Sequence, residues 1–332
     1  MLFRSKKIWN VLNWNVDHKC ETVEKLNEHI KSGSIKDLII GAEKEYYEDV
    51  SKAAQKIIER KDEVRLVIIA GPSSSGKTTT TIKLAEHLKK EGLKLIALNI
   101  DNYFFNLECQ PKDEFGDFDF ETPEALDLKL INHHLRDLLD YKPVQIPRYS
   151  FKTGKRLQET DTFQINKDEI ILIDTLHGLY EPMTHSIPPN AKFKLYIETL
   201  SQLKDKNNQF TRWTDIRLLR RMVRDSQYRG ASPEATILRW PSVRRGEISN
   251  IFPFQENADI MFNSALIYEL PLLKYFAEPL LRRIPANSPA STESMRLLKF
   301  LSYIVELQPS EMTNIPPTSV MREFIGGSSF IY

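Results

Sequence analysis

The chain has 332 residues, of which 41% are hydrophobic and 27% charged, values that allow a sizeable globular core. Its 46 Lys and Arg residues nearly balance its 45 Asp and Glu residues, so whole-chain charge gives no reason to expect a nucleic-acid or membrane partner. Cys20 and Cys109 form no disulfide framework or metal-ligand spacing, and the longest apolar runs are too short to span a bilayer. We therefore expect a cytoplasmic protein.

The first predicted elements are helices, followed by a strand and a glycine-rich turn. Residues 1–62 are polar and helix-prone, and we find no catalytic motif there. Residues 64–70 change to a continuous apolar run, the pattern of a buried parallel strand. After the turn, a helical spacing of apolar residues ends at Gly92, and residues 95–100 form a second strand that closes on Asp101.

The middle of the chain continues the alternation of helices and strands. Residues 124–140 are predicted as a helix, with Thr122 as its N-cap and Pro123 at its first position. Residues 170–173 and 193–197 are predicted as two further buried strands. This alternation predicts a doubly wound α/β domain with a parallel sheet, whose ligand binds beyond the carboxyl ends of the strands. From about residue 266 the pattern becomes helical again, interrupted by prolines.

The turn after the first strand matches the phosphate-binding motif G-x-x-x-x-G-K-[ST] of the P-loop NTPases. Its glycines let backbone N–H groups converge on a phosphate, and the following helix adds its positive N-terminal end. We expect Lys77 to contact the β- and γ-phosphates of ATP and the hydroxyl of Thr78 to bind Mg²⁺. The predicted ATP-binding residues are Gly71, Ser73, Ser74, Ser75, Gly76, Lys77, Thr78 and Thr79.

Two aspartates follow predicted strands and therefore belong to the same edge of the sheet. Asp174 ends the third strand, where a P-loop enzyme holds its metal ion, although a structural cap is the alternative role for such a residue. Asp101 ends the second strand, where a carboxylate could take the proton of an attacking hydroxyl. A loop-capping role is the alternative for Asp101.

Two further segments bear on the acceptor of the phosphoryl group. Six arginines and two aspartates lie between residues 212 and 229, and Arg217, Arg221 and Arg224 share one helix face. This excess suits a lid that closes over transferring phosphates, with a solvated basic face or an RNA-binding surface as alternatives. Tyr149 and Phe151 alternate among basic residues, which places both rings on one side of an extended segment. They could stack on a planar base or pack within a hairpin.

Together these segments resemble the uridine kinase and phosphoribulokinase branch of the P-loop kinases, over roughly residues 64–265. Segments 239–247, 250–256 and 322–327 also resemble a longer bacterial variety of uridine kinase-like proteins. The resemblance does not include the N-terminal synthetase-like domains of that variety. The segments that carry the resemblance are 71–79, 101–104, 119–127, 147–156 and 220–230.

The resemblance implies roles for residues on the acceptor side. Asp101 would be the catalytic base, and Lys77 and Arg224 would be the other catalytic residues. Glu121 would bind ribose hydroxyls. Tyr149 and Phe151 would frame the base, and Arg221, Arg224 and Arg229 would serve the ribose and the phosphates.

The sequence departs from the family pattern at three places. Gly154 stands where pyrimidine-specific members have a base-reading histidine, Ala231 replaces an arginine, and Asp174-Thr175 replaces Glu-Gly. His177 follows the third strand closely and could line the site, but a histidine in this position is more often a hydrogen-bonded structural residue, so we assign it no role.

These observations predict an ATP- and Mg²⁺-dependent kinase that acts on a hydroxyl of a small molecule, most simply the 5′-hydroxyl of a nucleoside. The alternatives are a kinase of a sugar, sugar phosphate or polyol, and a nucleotide-controlled RNA-binding regulator. The sequence leaves open whether the chain forms a homo-oligomer. We expect an N-terminal helical segment (1–62), a kinase domain with an arginine-rich lid (63–265) and a C-terminal helical extension (266–332).

Overall fold

A five-stranded parallel sheet lies at the centre of the structure, a computed structural model that describes residues 3–112, 116 and 118–332. The spatial order of the strands is β2-β5-β1-β6-β7, and every neighbouring pair is parallel. This topology confirms the predicted P-loop α/β fold. The strands of the sheet are β1 (Leu66–Ala70), β2 (Lys94–Ala97), β5 (Glu169–Thr175), β6 (Lys192–Glu198) and β7 (Ile260–Asn263), and β3 (Val144–Ser150) and β4 (Lys155–Phe163) form a separate antiparallel hairpin.

Helices cover both faces of the sheet and make up most of the two ends of the chain. None of those in the described part of the chain combines the length and apolar character needed to span a bilayer. The helices are α1 (Phe3–Asp17), α2 (Val23–Ser32), α3 (Ile35–Ile58), α4 (Lys77–Lys90), α5 (Leu128–Leu139), α6 (Trp213–Tyr228), α7 (Pro233–Asn250), α8 (Glu269–Arg282), α9 (Ser291–Ser302), α10 (Pro309–Met312) and α11 (Arg322–Ile325).

The strand β1 separates two hydrophobic cores, because its successive side chains point to opposite faces of the sheet. Val67 and Ile69 pack in the core that also contains buried residues of α2, α3, α8 and α9. Leu66 and Ile68 pack in a smaller core with α5 and the β3–β4 hairpin. The helical ends of the chain therefore share one core with the sheet, and the division at residues 62 and 265 stays a prediction.

Two predicted elements have different bounds in the structure. The second strand ends at Ala97, because the Asn99 side chain accepts a hydrogen bond from the Asp101 N–H and starts a 3₁₀ turn at Ile100–Tyr103. The predicted helix at 124–140 was wrong at its start. The Thr122 hydroxyl caps a single 3₁₀ turn, Pro123–Ala125, and α5 begins only after Asp127, whose carboxylate accepts from the Leu130 N–H.

Candidate active site

The loop between β1 and α4 has the geometry of an anion-binding nest. Ser74 and Gly76 have positive φ angles of 58° and 81°, which turn successive N–H groups towards one point. Gly71 cannot carry a side chain, since a Cβ atom there would collide with the carbonyl oxygen of Ile197. The buried hydroxyls of Ser74 and Ser75 have no hydrogen-bond partner among the described residues. Nucleotide phosphates fit this loop, because their oxygens would accept from these donors.

Lys77 and Thr78 open the helix that follows this loop. The Lys77 ammonium donates to the Pro72 carbonyl oxygen at 3.2 Å, so it folds back over the loop. Burial lowers the pKa of Lys77, and the nearby carboxylates Asp174 and Glu323 oppose that shift. Thr78 is exposed, which leaves its hydroxyl accessible to a ligand. Both side chains thus lie where a bound phosphate and its cation would be.

Asp174 lies directly beside the end of β1, because it pairs in register with Ile69. Burial raises the pKa of Asp174 to about 6, Lys77 lowers it, and Glu323 and Asp101 raise it further. A carboxylate held in such surroundings is suited to a cation. No cluster of three or more metal-ligating side chains occurs within the described ranges. A Mg²⁺ ion would therefore be held by Thr78, Asp174 and oxygens of the nucleotide or water.

Asp101 lies on the 3₁₀ turn after β2, at the same edge of the sheet. Desolvation by the surrounding protein raises the pKa of its carboxyl, although the residue keeps contact with solvent. The nearby charges of Lys77 and Arg229 oppose this shift. Asn102, the next residue, accepts from the Tyr149 N–H at 3.2 Å and ties this turn to the β3–β4 hairpin.

The arginine-rich helix α6 contains two arginines that the structure buries completely. Arg217 pairs with Glu247 and donates to the Ser73 carbonyl oxygen at 3.0 Å. Arg220 pairs with Glu269 at 2.5 Å. Both therefore stabilise the packing of α6, and the basic face expected at Arg217 is not exposed.

Arg221, Arg224 and Arg229 converge on one buried aspartate. Asp225 pairs with Arg221 at 3.3 Å, with Arg224 at 2.7 Å and with Arg229 at 3.6 Å. Arg221 also donates to the Ser73 hydroxyl at 3.0 Å, whereas the Arg229 side chain is 60% exposed. Sequence reasoning missed Asp225, although its spacing of four residues from Arg221 and from Arg229 was a usable signal.

Tyr149 and Phe151 belong to an aromatic cluster beside Asp101. Their ring centroids are 5.0 Å apart, and Phe104 lies 5.6 Å from each of them. The predicted placement of the two rings on one side of the segment is confirmed. Phe151 is 60% exposed, so the cluster keeps an aromatic surface open to a ligand.

Glu121 lies against α7, where Gly246 leaves room for it. A side chain at residue 246 would collide with the Glu121 Cβ atom. One carboxylate oxygen, Oε2, is buried without a hydrogen-bond partner among the described residues. Burial raises the pKa of Glu121, and Arg221 opposes this shift. An unpaired buried acceptor of this kind can receive a ligand hydroxyl.

Gly154 cannot be replaced by a base-reading side chain in this backbone. Its φ angle is +66°, and a Cβ atom there would lie 2.9 Å from the Leu107 Cβ atom. The Leu107 N–H also donates to the Gly154 carbonyl oxygen at 2.7 Å. His177 is buried, and burial lowers its pKa to about 4, so it is neutral near pH 7.

A nucleotide-phosphate nest at the carboxyl edge of a parallel sheet, next to two carboxylates, defines the class of P-loop phosphotransferases. Residues 66–267 match the model of the Phosphoribulokinase / Uridine kinase family, and the chain belongs to that family. It is therefore a small-molecule kinase.

The chain is also similar to individual known proteins. Uridine-cytidine kinase B of Dictyostelium discoideum is 27% identical over 59% of this chain and 73% of its own length. Uridine kinase of Bacillus pumilus is 30% identical over 58% of this chain and 83% of its own length. Among solved structures, a putative fructose transport system kinase from a Silicibacter species is 17% identical, covers 64% of this chain and 98% of its own, and has a TM-score of 0.45.

Proposed function

We propose that the protein transfers the γ-phosphoryl group of Mg-ATP to the 5′-hydroxyl of a ribonucleoside. The observation that carries this proposal is the combination of an open aromatic cluster and a buried Glu121 carboxylate oxygen, Oε2, that has no hydrogen-bond partner among the described residues. Aromatic faces stack on a planar base, and a carboxylate accepts hydrogen bonds from a ribose diol. The uridine kinases to which the chain is similar support the same acceptor class.

The proposed step uses Asp101 as the proton acceptor. The acceptor oxygen forms its bond to the γ-phosphorus as the bond from that phosphorus to the β-phosphate oxygen breaks. The hydroxyl proton moves to the Asp101 carboxylate, and ADP is the leaving group. Lys77 and Arg224 stabilise the negative charge on the transferring group, whereas Arg221 and Arg229 hold the acceptor side.

A bound Mg²⁺ ion would neutralise part of the negative charge of the phosphates. The residues proposed to hold it are Thr78 and Asp174. The nest of Gly71, Ser73, Ser74, Ser75 and Gly76 is proposed to hold the phosphates. The sequence also predicted Thr79 as an ATP-binding residue, but its N–H and its hydroxyl both donate to Glu323 in the structure.

Base selectivity is proposed to be weak. Gly154 brings no polar side chain to the base edge, and Leu107 packs against it. An apolar slot discriminates between ligands by only about 1–3 kcal/mol, whereas an unpaired polar group gives much larger penalties. The proposed enzyme therefore requires ribose more strictly than it reads the base.

The test is kcat/KM for uridine, cytidine, adenosine, guanosine, inosine and their 2′-deoxy forms, with sugars and polyols assayed alongside. Losing a hydrogen bond to the Glu121 carboxylate should reduce kcat/KM for 2′-deoxynucleosides by about 10- to 150-fold. Glu121→Ala should remove most of that preference. A uridine and cytidine preference of thousands-fold would contradict the argument from Gly154.

The same panel decides between the proposal and its alternatives. Turnover of a sugar or polyol, without turnover of any nucleoside, would replace the nucleoside by that acceptor. ADP release stimulated by RNA and not by small hydroxyl compounds would favour the RNA-binding regulator. The complete burial of Arg217 and Arg220 supports the kinase, because it leaves fewer arginines on the surface of α6.

A further inference from the structure

The C-terminal segment, residues 319–332, packs directly on the phosphate-binding loop although it lies beyond the family match at 66–267. Glu323 of α11 is 8% exposed. Its carboxylate oxygen Oε2 accepts from the Thr79 N–H at 3.1 Å and from the Thr79 hydroxyl at 2.7 Å. The segment therefore reaches the first turn of α4 through a charged side chain.

The first turn of a helix has N–H groups without partners inside the helix, and a side chain at the N-cap usually satisfies one of them. The N-cap of α4 is Gly76, which has no side chain for this purpose. Glu323 supplies the acceptor for Thr79 from 244 residues further along the chain. Gly76 can therefore serve the phosphate-binding nest while α4 is still capped, because Glu323 of the C-terminal segment provides the cap.

Two further contacts fix the C-terminal segment at this place. A Cβ atom at Gly76 would lie 2.5 Å from the Val320 Cγ2 atom, so Val320 packs against the loop itself. The Tyr332 hydroxyl lies 3.0 Å from the Thr79 hydroxyl oxygen. The charge of Glu323 also opposes the effect of burial on the pKa of Lys77. Contact, packing and charge all connect this segment to the donor site.

We propose that Glu323 is a positioning residue of the donor site, which caps α4 through Thr79 and holds the phosphate-binding loop in shape for Mg-ATP. Glu323 acts through Thr79 and does not contact the reacting atoms. The inference deepens the proposed function at the donor site, and it does not depend on which molecule accepts the phosphoryl group.

The test compares Glu323→Ala, Glu323→Gln and Glu323→Asp by calorimetric titration with Mg-ATP in the absence of any acceptor. Loss of the cap in Glu323→Ala should raise the Kd of Mg-ATP about five- to thirtyfold. Glu323→Gln keeps an oxygen that accepts both hydrogen bonds, so its Kd should stay within about threefold of the wild type. Glu323→Asp keeps the negative charge, but its shorter side chain should not reach Thr79. The Kd of Mg-ATP for this variant should therefore resemble that of Glu323→Ala.

Glu311→Ala is the matched control, because Glu311 caps α10 in the same C-terminal part of the chain. Its carboxylate accepts from the Gln308 N–H at 2.7 Å. This variant should lose a similar helix cap and keep the Kd of Mg-ATP unchanged. In Glu323→Ala and Glu323→Asp, KM for ATP should rise while KM for the acceptor stays the same.

The pattern across the variants decides the result. Equal or tighter Mg-ATP binding by Glu323→Ala and Glu323→Asp would overturn the inference. If Glu323→Ala does not fold, the comparison of Glu323→Gln with Glu323→Asp gives the same decision. The expected Kd pattern without turnover of any nucleoside would support the inference and reject only the proposed acceptor.

Discussion

Asp174→Asn replaces the carboxylate at the end of β5 with a neutral side chain of nearly the same shape. Burial, together with Glu323 and Asp101, raises the pKa of Asp174 from 3.8 to about 6, against the opposing effect of Lys77. The folded protein therefore holds a proton on Asp174 more tightly than the unfolded chain does. This group favours folding fully below a pH of 3.8, and its contribution is lost as the pH rises through about 6.

The two pKa values give the size of the effect. Their difference corresponds to about 3 kcal/mol at pH 8, where Asp174 is ionised in both states. The same relation leaves about 1 kcal/mol at pH 4.5. The asparagine variant does not ionise, so it should exceed the wild type in free energy of unfolding by about these amounts. A residue kept for cation binding would thus lower the stability of the protein.

The assay is urea unfolding between about pH 4.5 and 8, without magnesium or nucleotide. Asp168→Asn is the matched control, because Asp168 directly precedes β5 and its bond to Lys94 lowers its pKa. That control should not gain stability as the pH rises. An Asp174→Asn variant that is less stable than the wild type at pH 8, or that differs by the same amount at every pH, would refute the reasoning.

The other predictions concern catalysis and packing. Lys77→Ala should abolish phosphoryl transfer and leave the thermal unfolding midpoint nearly unchanged. The control is Lys89→Ala on the exposed face of α4, which should retain both activity and unfolding midpoint. Asp101→Asn should lower kcat by about two to four orders of magnitude with little change in the Kd of ATP, and loss of ATP affinity at normal kcat would contradict its role as base. Arg217→Ala removes the fully buried partner of Glu247 and leaves that carboxylate with Arg244 alone, so unfolding measurements should show a loss of about 1–3 kcal/mol, and a neutral result would contradict the account of α6.

Local sequence patterns were sufficient for four of the five strands of the sheet and for the phosphate-binding loop, but they did not predict β7. Residues 64–70 form a continuous apolar run, and β1 is buried along its whole length. The positive φ angles of Ser74 and Gly76 follow from a motif of eight neighbouring residues. In both cases the determinants lie within a few residues of the structure that they specify.

Long-range partners explain what the sequence could not predict. Arg217 shares the spacing of a basic helix face with Arg221 and Arg224, but it is buried. The carboxylates that pair with the buried Arg217 and Arg220 are Glu247 and Glu269, which lie on other helices. Glu323 has no local feature that points to Thr79. The segment 322–327 was recognised by resemblance alone, which gave no position for it in the fold.

The start of α5 shows a different limit, because two capping signals compete within a few residues. Thr122 and Pro123 have the pattern of a helix start, and they do form one 3₁₀ turn. Asp127 caps the longer helix, and Leu126 between them has extended backbone angles of −102° and 145°. The sequence analysis identified only the Thr122 cap, whereas α5 begins after Asp127 and packs in the smaller core.

Transfer of labelled phosphate from γ-labelled ATP to a panel of ribonucleosides tests the central claim most directly. The account predicts a labelled nucleoside 5′-monophosphate in equal amount to the ADP released, for more than one base. The product should require magnesium and should be absent with Lys77→Ala. Label that remains in ATP or appears only as inorganic phosphate, with every nucleoside in the panel, would contradict the claim.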